Sequence, residues 1–455
     1  MQYQKTYNSP RLNGQFPFCS FPFALDTYSG CTHLCKYCFS YYNYLINCST
    51  KNNEKDFFSM AKTINFSNLE KAFEQPDGKD NEHIRAYREL IKLRMPIHWG
   101  GVSDPFSTYE QMNDEKVSLK CLKLFNKHQY PVISSTKSKW LKDAPEYIKE
   151  IQENKNFVFQ VSLISLNERM KKIEPGTSVE ARLELIRIFS KTNRVVVRCQ
   201  PFIPNLDNDE QIEEFVKTIA DCGAHAVTME FLKISAFQTA EVKKAIEEMS
   251  EALGYDIPKF FRLKGNKAGT DIELRFNYKL PIMLKFRQLA HKYGLEFYSA
   301  ENSMRDYGDG YSCCGIPKDF PEFGNRLKSQ TGNALFLARK NGRVYFDDIF
   351  GNLGEPDKAF LSKDIAPWLN LGSTEGHLRG DGKTFLEKAA QIWDNPSSPN
   401  NPASFYKNLR FLNADKGGNP TKESLDENGH FIYEYIPSEG SCDGCSGCSG
   451  CNRAE

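Results

Sequence analysis

The sequence has almost no excess charge of either sign and no long apolar run. Its 455 residues include 59 Lys and Arg against 58 Asp and Glu, which gives a formal net charge of +1. This balance provides no overall electrostatic footprint for nucleic acid, although a local basic groove stays open. No apolar run approaches the roughly 20 residues of a membrane-spanning helix, and the first residues lack the apolar core of a signal peptide. We expect a cytoplasmic protein without a membrane segment.

The sequence also lacks a Gly-rich phosphate turn after its first predicted strand, which weighs against a doubly wound nucleotide-binding sheet. Short β-branched apolar runs alternate instead with amphipathic helical stretches from about residue 20 to about residue 302. The predicted strands are Phe21–Gly30, Pro96–Gly101, Tyr130–Thr136, Phe157–Ser165, Arg194–Phe202, Ala224–Leu232 and Leu295–Ala300. The helices predicted between them include Glu115–Lys127, Val179–Ser190, Asp209–Cys222 and Ala236–Leu253.

This alternation predicts an α/β fold, a partial (β/α)6-type barrel over residues 1–310 with active-site groups at the carboxyl ends of its strands. After that point Gly, Pro, Asn and Asp become frequent. Residues 311–455 are therefore predicted to form an irregular, cysteine-rich accessory region. Its predicted regular elements are two short strands and one helix, at Gly342–Phe346, His430–Tyr435 and Thr384–Trp393.

Of the 14 cysteines, seven fall into two dense groups, a spacing that favours metal binding over disulfides. The first group is Cys31, Cys35 and Cys38, spaced C-x3-C-x2-C directly after the first predicted strand. Three thiolates on one short loop can bind a four-iron cluster and leave one iron without a protein ligand. The alternatives are a zinc knuckle with His33 as fourth ligand, or free buried cysteines.

The second group lies near the C-terminus, where pairs of small residues separate four thiols: Cys442, Cys445, Cys448 and Cys451. Glycine in the spacers permits the positive φ values that a metal-wrapping ribbon needs. We expect an auxiliary iron–sulfur cluster here, with zinc as the alternative. The role of the adjacent pair Cys313-Cys314 stays open.

The first cysteine group, with Tyr37 before its last cysteine, resembles the signature of the radical S-adenosylmethionine (SAM) superfamily. Further motifs resemble its spore photoproduct lyase-like branch: Thr136-Lys137, the strand Phe157–Ser165, the run Ile173-Glu174-Pro175-Gly176-Thr177 and Arg182-Leu183. The resemblance covers roughly residues 20–235. It implies a radical SAM partial barrel whose [4Fe–4S] cluster binds SAM and forms a 5′-deoxyadenosyl radical, with electrons from a reductant such as flavodoxin or ferredoxin.

Carried over residue by residue, the resemblance makes Cys31, Cys35 and Cys38 the cluster ligands. Gly100 and Gly101 would contact the SAM amino group, Lys137 its carboxylate, and Ser162 its ribose or carboxylate. Each also has a structural interpretation: turn chemistry for the glycines, a solvated strand end for Lys137, and backbone hydrogen bonding for Ser162.

One departure bears on mechanism. Spore photoproduct lyases carry a hydrogen-donating cysteine just ahead of Thr-Ser-Asp, and Gly101 stands at that place in Gly101-Val102-Ser103-Asp104. Cys199, on the fifth predicted strand, could substitute if it projects into the barrel, although a buried strand cysteine is usually a small core hydrophobe.

The sequence therefore predicts a radical SAM enzyme that abstracts hydrogen from a substrate. The resemblance favours a nucleic-acid base or nucleotide, and a ribosomal peptide or small metabolite is the alternative. A hypothesis of another class is a non-catalytic metal-binding or electron-carrier protein in which both cysteine groups hold metal.

Overall fold

The protein was studied as a computed structural model. The structure describes residues 5–7, 10–12, 18–42, 62–75, 82–323, 333–364 and 383–437, without the single positions 20, 22, 237, 270, 311, 356, 399 and 407. The second cysteine group, Cys442, Cys445, Cys448 and Cys451, lies outside these residues, so its predicted metal stays a prediction.

An eight-stranded sheet forms the centre of the described fold. In chain order the strands of the molecule are β1 Lys5–Tyr7, β2 Arg11–Leu12, β3 Phe23–Leu25, β4 Thr63–Ile64, β5 Ile97–Trp99, β6 Val132–Thr136, β7 Phe157–Ser162, β8 Arg194–Phe202, β9 Ala226–Phe231, β10 Ile234–Ser235, β11 Gly265–Ala268, β12 Asp271–Leu274, β13 Glu296–Ser299, β14 Arg343–Val344, β15 Leu409–Phe411 and β16 Tyr433–Tyr435. The central sheet has the order β13-β9-β8-β7-β6-β5-β3-β2.

All strands of this sheet run parallel except β2, which pairs antiparallel with β3 at one edge. The parallel strands are those expected from the sequence, so the α/β partial-barrel prediction is confirmed. Strands β6 and β7 are buried along their whole length. Burial on both faces explains why apolar residues are adjacent in Val132-Ile133 and in Phe157–Phe159, where strict alternation would place a polar residue.

Helices connect the strands and cover one face of the sheet. The α-helices are Phe66–Glu74, Glu82–Lys92, Thr108–Met112, Val117–Lys127, Pro145–Glu153, Met170–Ile173, Val179–Phe189, Asp209–Asp221, Ala240–Leu253, Ile257–Lys264, Phe276–Lys292, Asn333–Asn341, Phe346–Phe350, Asp357–Leu361, Phe385–Trp393 and Pro402–Phe405. Short 3₁₀ helices occur at Leu141–Asp143, Asn302–Tyr307 and Lys422–Ser424. Among the described helices none is long and apolar enough to cross a membrane.

Local sequence sets several helix starts. Asn208 forms a capping box with Gln211 at the start of Asp209–Asp221. The helix predicted from Ala236 begins only at Ala240, because Thr239 caps it and the preceding residues pair as β10 with β12. The predicted strand Gly342–Phe346 is likewise shorter, since β14 ends at Val344 and a helix begins at Phe346.

The side of the sheet opposite the helices carries polar residues at alternate positions. Register places Gln160, Arg198 and Thr228 on this interior face. Residues 312–323 pack against its amino-terminal half, where Cys314, Ile316 and other apolar side chains form a second small core. The stretch just beyond the predicted boundary at residue 310 therefore contacts the barrel, and the boundary itself stays a prediction.

Candidate active site

The first cysteine group lies at the carboxyl edge of the sheet, on the loop that follows β3. Cys31, Cys35 and Cys38 are all partly exposed, and a short helical turn at residues 39–42 begins directly after them. The loop contains one non-glycine residue with positive φ, Leu34 at 55°. The parallel sheet therefore presents three thiols at the edge where active sites of such folds are built.

A buried carboxylate, Asp104, fixes the loop from one side. Its Oδ2 is hydrogen-bonded to Nε2 of His33 at 2.7 Å. Asp104 also accepts hydrogen bonds from Thr136 Oγ1 and from the Lys137 amide. Burial alone would raise the pKa of Asp104, but His33 and the amide donors lower it below its ordinary value. Asp104 thus ties the cysteine loop to the carboxyl end of β6.

The contact between His33 and Asp104 bears on whether His33 could serve as a fourth zinc ligand. His33 uses Nε2 for Asp104, while its Nδ1 is buried and has no hydrogen-bond partner within the described residues. Among the described residues no group of three His, Cys, Asp or Glu side chains is arranged to hold a metal ion, and this includes the three cysteines of the loop, so the arrangement does not separate zinc from an iron–sulfur cluster.

A second buried carboxylate, Glu174, fixes the loop from the other side. Arg182 Nη1 donates to its Oε2 at 2.7 Å, and both side chains are fully buried. The Tyr37 hydroxyl of the cysteine loop donates to Oε1 of Glu174. Burial raises the pKa of Glu174, but Arg182, Lys137 and Tyr37 outweigh it, so the pKa is lowered overall. The Glu-Pro-Gly-Thr motif that begins at Glu174 therefore anchors the cysteine loop through these ionic and hydrogen-bonded contacts.

Arg182 extends this anchor to the sheet. It donates to the Ser162 carbonyl at 2.8 Å and to the Ser178 carbonyl at 3.0 Å. A buried guanidinium needs such partners because an unpaired buried charge is costly. The end of β7, the Glu174 turn and the following helix are consequently joined at one residue.

Gly176 is the point of closest packing between that turn and the cysteine loop. Its amide donates to the His33 carbonyl at 3.1 Å. A Cβ at this position would lie 2.7 Å from the His33 Cα, the His33 carbonyl and the Thr32 carbonyl. Only glycine fits without moving the loop backbone.

The two glycines after β5 differ in the space that a side chain would find. Gly100 has φ of 87°, and a Cβ there would meet the Pro105 side chain at 2.7 Å, so local structure requires glycine. A Cβ at Gly101 would meet nothing within 4 Å. Gly101 therefore leaves open space at the carboxyl edge, as a ligand approaching the backbone would need.

The other two predicted SAM contacts lie at neighbouring strand ends. Lys137 follows β6 with its side chain 15% exposed, and its Nζ lies 3.8 Å from Glu174 Oε1 and 5.6 Å from the centre of the Tyr37 ring. Ser162 ends β7 on the interior face and is buried. The structure thus brings the cysteine loop, Gly101, Lys137 and Ser162 to one edge, while the SAM contacts themselves stay predictions.

The donor set fits an iron–sulfur cluster by its chemistry. Burial raises the pKa of the Cys31 thiol to about 12 and also raises that of Cys35 and Cys38. Lys137 acts against this effect at Cys35 and Cys38. Three thiols in these surroundings stay protonated until a bound cation compensates the charge, and soft thiolates are the donors that iron–sulfur clusters use.

Cys199 does not lie where its predicted catalytic role requires. It is fully buried in the core between sheet and helices, and its thiol donates to the Ile164 carbonyl at 3.7 Å. Its neighbours Arg198 and Gln200 occupy the interior face, so strand alternation turns Cys199 away. The expectation that Cys199 projects into the barrel is wrong.

Sequence reasoning missed a polar network on the interior face. Arg198 donates from Nη1 to Ser135 Oγ at 2.7 Å and from Nε to Gln200 Oε1 at 3.0 Å. Ser135 Oγ in turn donates to Gln160 Oε1 at 2.7 Å. Polar residues at alternate positions of β7 (Gln160 and Ser162) and of β8 (Arg198 and Gln200) were the available signal.

No protein-family model and no curated protein matches the sequence. Among solved structures, the chain is similar to a spore photoproduct lyase variant with bound AdoMet and dinucleoside spore photoproduct, at 14% identity and a TM-score of 0.46, covering 65% of this chain and 80% of that one. It is also similar to Streptococcus suis SuiB bound to precursor peptide SuiA, at 11% identity and a TM-score of 0.35, covering 71% of this chain and 68% of that one. Because these TM-scores are low, the functional argument rests on the site itself.

Proposed function

We propose that this protein is a radical SAM enzyme that abstracts a hydrogen atom from a substrate held at the carboxyl face of the barrel. One observation carries the proposal. A short loop after β3 presents three partly exposed thiols at the carboxyl edge of the sheet, and the open backbone of Gly101 and the side chain of Lys137 follow the neighbouring strands β5 and β6 at the same edge. When bound, a [4Fe–4S] cluster and SAM would supply reductive cleavage of SAM to a 5′-deoxyadenosyl radical.

The chain's own residues hold and orient these groups. Cys31, Cys35 and Cys38 would bind the cluster, and the anchors at Asp104 and Glu174 hold their loop in place. Lys137, whose Nζ lies 3.8 Å from Glu174 Oε1, would pair with the SAM carboxylate, and Gly101 would allow close approach of the amino group. The barrel wall would exclude water and align the substrate, which is the usual contribution of the protein in cofactor chemistry. A one-electron reductant such as flavodoxin or ferredoxin would be the partner.

The test is anaerobic reconstitution with iron and sulfide, followed by addition of dithionite and SAM. We expect 5′-deoxyadenosine from the wild-type protein. Cys35→Ala should lower its formation at least a hundredfold and remove the loop's share of bound iron, leaving metal at the C-terminal cysteines. Cys222→Ala is the matched control, because Cys222 is a buried cysteine far along the chain from the loop. It should retain both 5′-deoxyadenosine formation and the iron bound by the loop.

Iron-loaded wild-type protein that forms no 5′-deoxyadenosine would refute the proposal and favour a non-catalytic metal or electron carrier. Equal activity of Cys35→Ala and wild type would refute the assignment of the loop.

For the substrate, the sequence resemblance favours a nucleic-acid base or nucleotide. Titration with single-stranded and duplex DNA at increasing salt tests this point, because phosphate contacts weaken steeply as salt rises. Absence of salt-dependent binding would favour a peptide or a small metabolite.

A further inference from the structure

Residues 312–316, the interior segment, lie against the interior face of the barrel, and side chains of the sheet bind their backbone. Thr228 Oγ1 donates to the Cys313 carbonyl and Gln160 Nε2 to the Cys314 carbonyl, both at 2.8 Å. Because buried carbonyl groups need hydrogen-bond donors, these contacts fix the interior segment at a defined depth of the barrel.

The interior segment closes the barrel toward its amino-terminal end. Arg194 Nε donates to the Gly315 carbonyl at 2.8 Å, and a Cβ at Gly315 would lie 2.6 Å from Val196. The interior side chains at this level pack against the segment and are fully buried: Ile133, Val158, Val196 and Ala226. The lower part of the barrel is therefore filled by protein.

The next level toward the carboxyl edge is accessible. Arg198 and Gln200 on β8, Glu230 on β9 and Lys137 after β6 are all partly exposed. Strand alternation turns the side chains of β8 and β9 at these positions to the interior face. A molecule that enters from the carboxyl edge can therefore reach Arg198 without displacing the interior segment.

The guanidinium group of Arg198 lies across the interior face of β7. Its Nη1 donates to Ser135 Oγ on β6 at 2.7 Å, although β7 separates β6 from β8 in the sheet. Its Nε donates to Gln200 Oε1 on its own strand at 3.0 Å. Since neighbouring strands are about 4.8 Å apart, this reach places the charge within the barrel and away from the strand that carries it.

Two chains of hydrogen bonds hold the guanidinium in this position. The first continues from Ser135 Oγ to Gln160 Oε1 at 2.7 Å and ends on the interior segment. The second continues from Gln200 Nε2 to Thr228 Oγ1 at 3.1 Å and ends on the same segment. Each member donates and accepts, so the network orients Arg198 before any ligand arrives.

No carboxylate compensates this charge. The hydrogen-bond partners of Arg198 are neutral, and within the described ranges no Asp or Glu forms an ion pair with it. Glu230 is paired with Lys233 at 2.7 Å. Three of the five N–H groups of Arg198 are used, which leaves one on Nη1 and one on Nη2 without a partner in the described part of the chain.

His98, on the interior face of β5, is a second unsatisfied polar group near this charge. Its pKa is lowered to about 4, first by burial and then by Arg198, so the ring is neutral near pH 7. Its buried Nε2 has no hydrogen-bond partner among the residues that the structure describes. A buried polar atom without a partner is costly, and a hydrogen bond from a ligand would remove that cost.

We propose that Arg198 anchors the substrate of the barrel through an anionic group, a phosphate or a carboxylate. The inference rests on the proposed function, because it assumes that a substrate occupies the interior beneath the cysteine loop. The two free N–H groups of the planar guanidinium can donate to two oxygens of one anion. An uncharged or cationic substrate would leave Arg198 without a counter-charge.

The test is isothermal titration calorimetry of the full-length protein, before any iron is added, at constant ionic strength in chloride buffer. Inorganic phosphate and acetate are the two probes, and the tighter one shows whether the anionic group is a phosphate or a carboxylate. We expect saturable binding with a Kd on the order of 1 mM. No saturable binding of either anion below about 20 mM overturns the proposal.

Two variants assign the binding to Arg198. Arg198→Gln should weaken it about tenfold or more, because charge-assisted hydrogen bonds are roughly twice as strong as neutral ones. Gln200→Glu keeps Arg198 and the shape of its partner but supplies an internal carboxylate, so it should weaken binding similarly. Arg187→Gln, at a half-exposed arginine, is the control and should bind as wild type does. Unchanged affinity in Gln200→Glu overturns the proposal even if Arg198→Gln fails to fold.

A final titration separates the substrate from SAM, which also carries a carboxylate. The tighter probe is titrated into the reconstituted protein at saturating SAM, and we expect its affinity to stay within about twofold. Competition by SAM would overturn the assignment of Arg198 to the substrate. Because the first titrations need neither iron nor SAM, their failure is distinguishable from failure to form 5′-deoxyadenosine.

Discussion

The carboxyl-edge loop and the interior segment both present cysteines to the barrel, but in opposite electrostatic surroundings. The pKa values of the loop thiols Cys31, Cys35 and Cys38 are raised, in each case chiefly by burial, with Asp104 adding to the effect at Cys31 and Glu174 at Cys35. The pKa of Cys313 is lowered, first by the adjacent Cys314 thiol and then by Arg305 and Arg198. The loop thiols therefore need a bound cation to ionise.

The two regions also differ in what holds them. Ionic anchors at Glu174 and Asp104 fix the loop, whereas neutral side chains and one arginine bind the backbone of the interior segment. The comparison predicts that charge substitutions disturb the loop more than the interior segment.

The largest effect on stability is expected at Arg182. Replacing it with Met leaves Glu174 buried without its main counter-charge, which should lower the free energy of unfolding by about 3–5 kcal/mol. Arg187→Met is the matched control on the same helix, because its pair with Glu184 is half exposed and contributes about 0–1 kcal/mol. Urea denaturation of both variants measures the difference. Equal losses of unfolding free energy in the two variants would show that the buried Arg182–Glu174 pair contributes no more than an exposed ion pair.

A smaller effect is expected at Gly176. Gly176→Ala places a methyl group 2.7 Å from the backbone of Thr32 and His33 and should cost about 1–3 kcal/mol while reducing iron loading of the loop. Gly101→Ala meets no protein atom within 4 Å, so it should leave stability and iron loading unchanged and weaken SAM binding. Denaturation, iron content and SAM titration separate the two variants. Normal iron loading in Gly176→Ala would contradict the packing argument.

The smallest expected effect is the pH dependence of the stability that Glu174 contributes. Since the pKa of Glu174 is lowered in the folded state, its ionised form stabilises the protein above the unfolded carboxyl value of about 4.3, and this contribution is lost as the pH falls through the folded value. The stability difference between wild type and Glu174→Gln should therefore shrink on acidification below about pH 4. Denaturation series at several pH values measure it, and a difference independent of pH would exclude a charge effect.

Sequence periodicity predicted the parallel strands and the position of the cysteine loop, because short apolar runs such as Phe157–Phe159 are local signals. The predicted orientation of Cys199 was wrong, although the flanking Arg198 and Gln200 mark the polar face of β8. The insertion of Cys313 into the barrel was not predictable, since it depends on contacts with β7, β8 and β9 more than 80 residues away along the chain.

The most direct test of the central claim is electron paramagnetic resonance of the reduced cluster before and after addition of SAM. The C-terminal cysteines Cys442, Cys445, Cys448 and Cys451 are replaced by serine, so that only the loop cluster contributes. We predict that SAM changes the spectrum, because under the proposed function it would bind the iron that Cys31, Cys35 and Cys38 leave without a protein ligand. A spectrum unchanged by SAM, or a loop that holds zinc, would contradict the account.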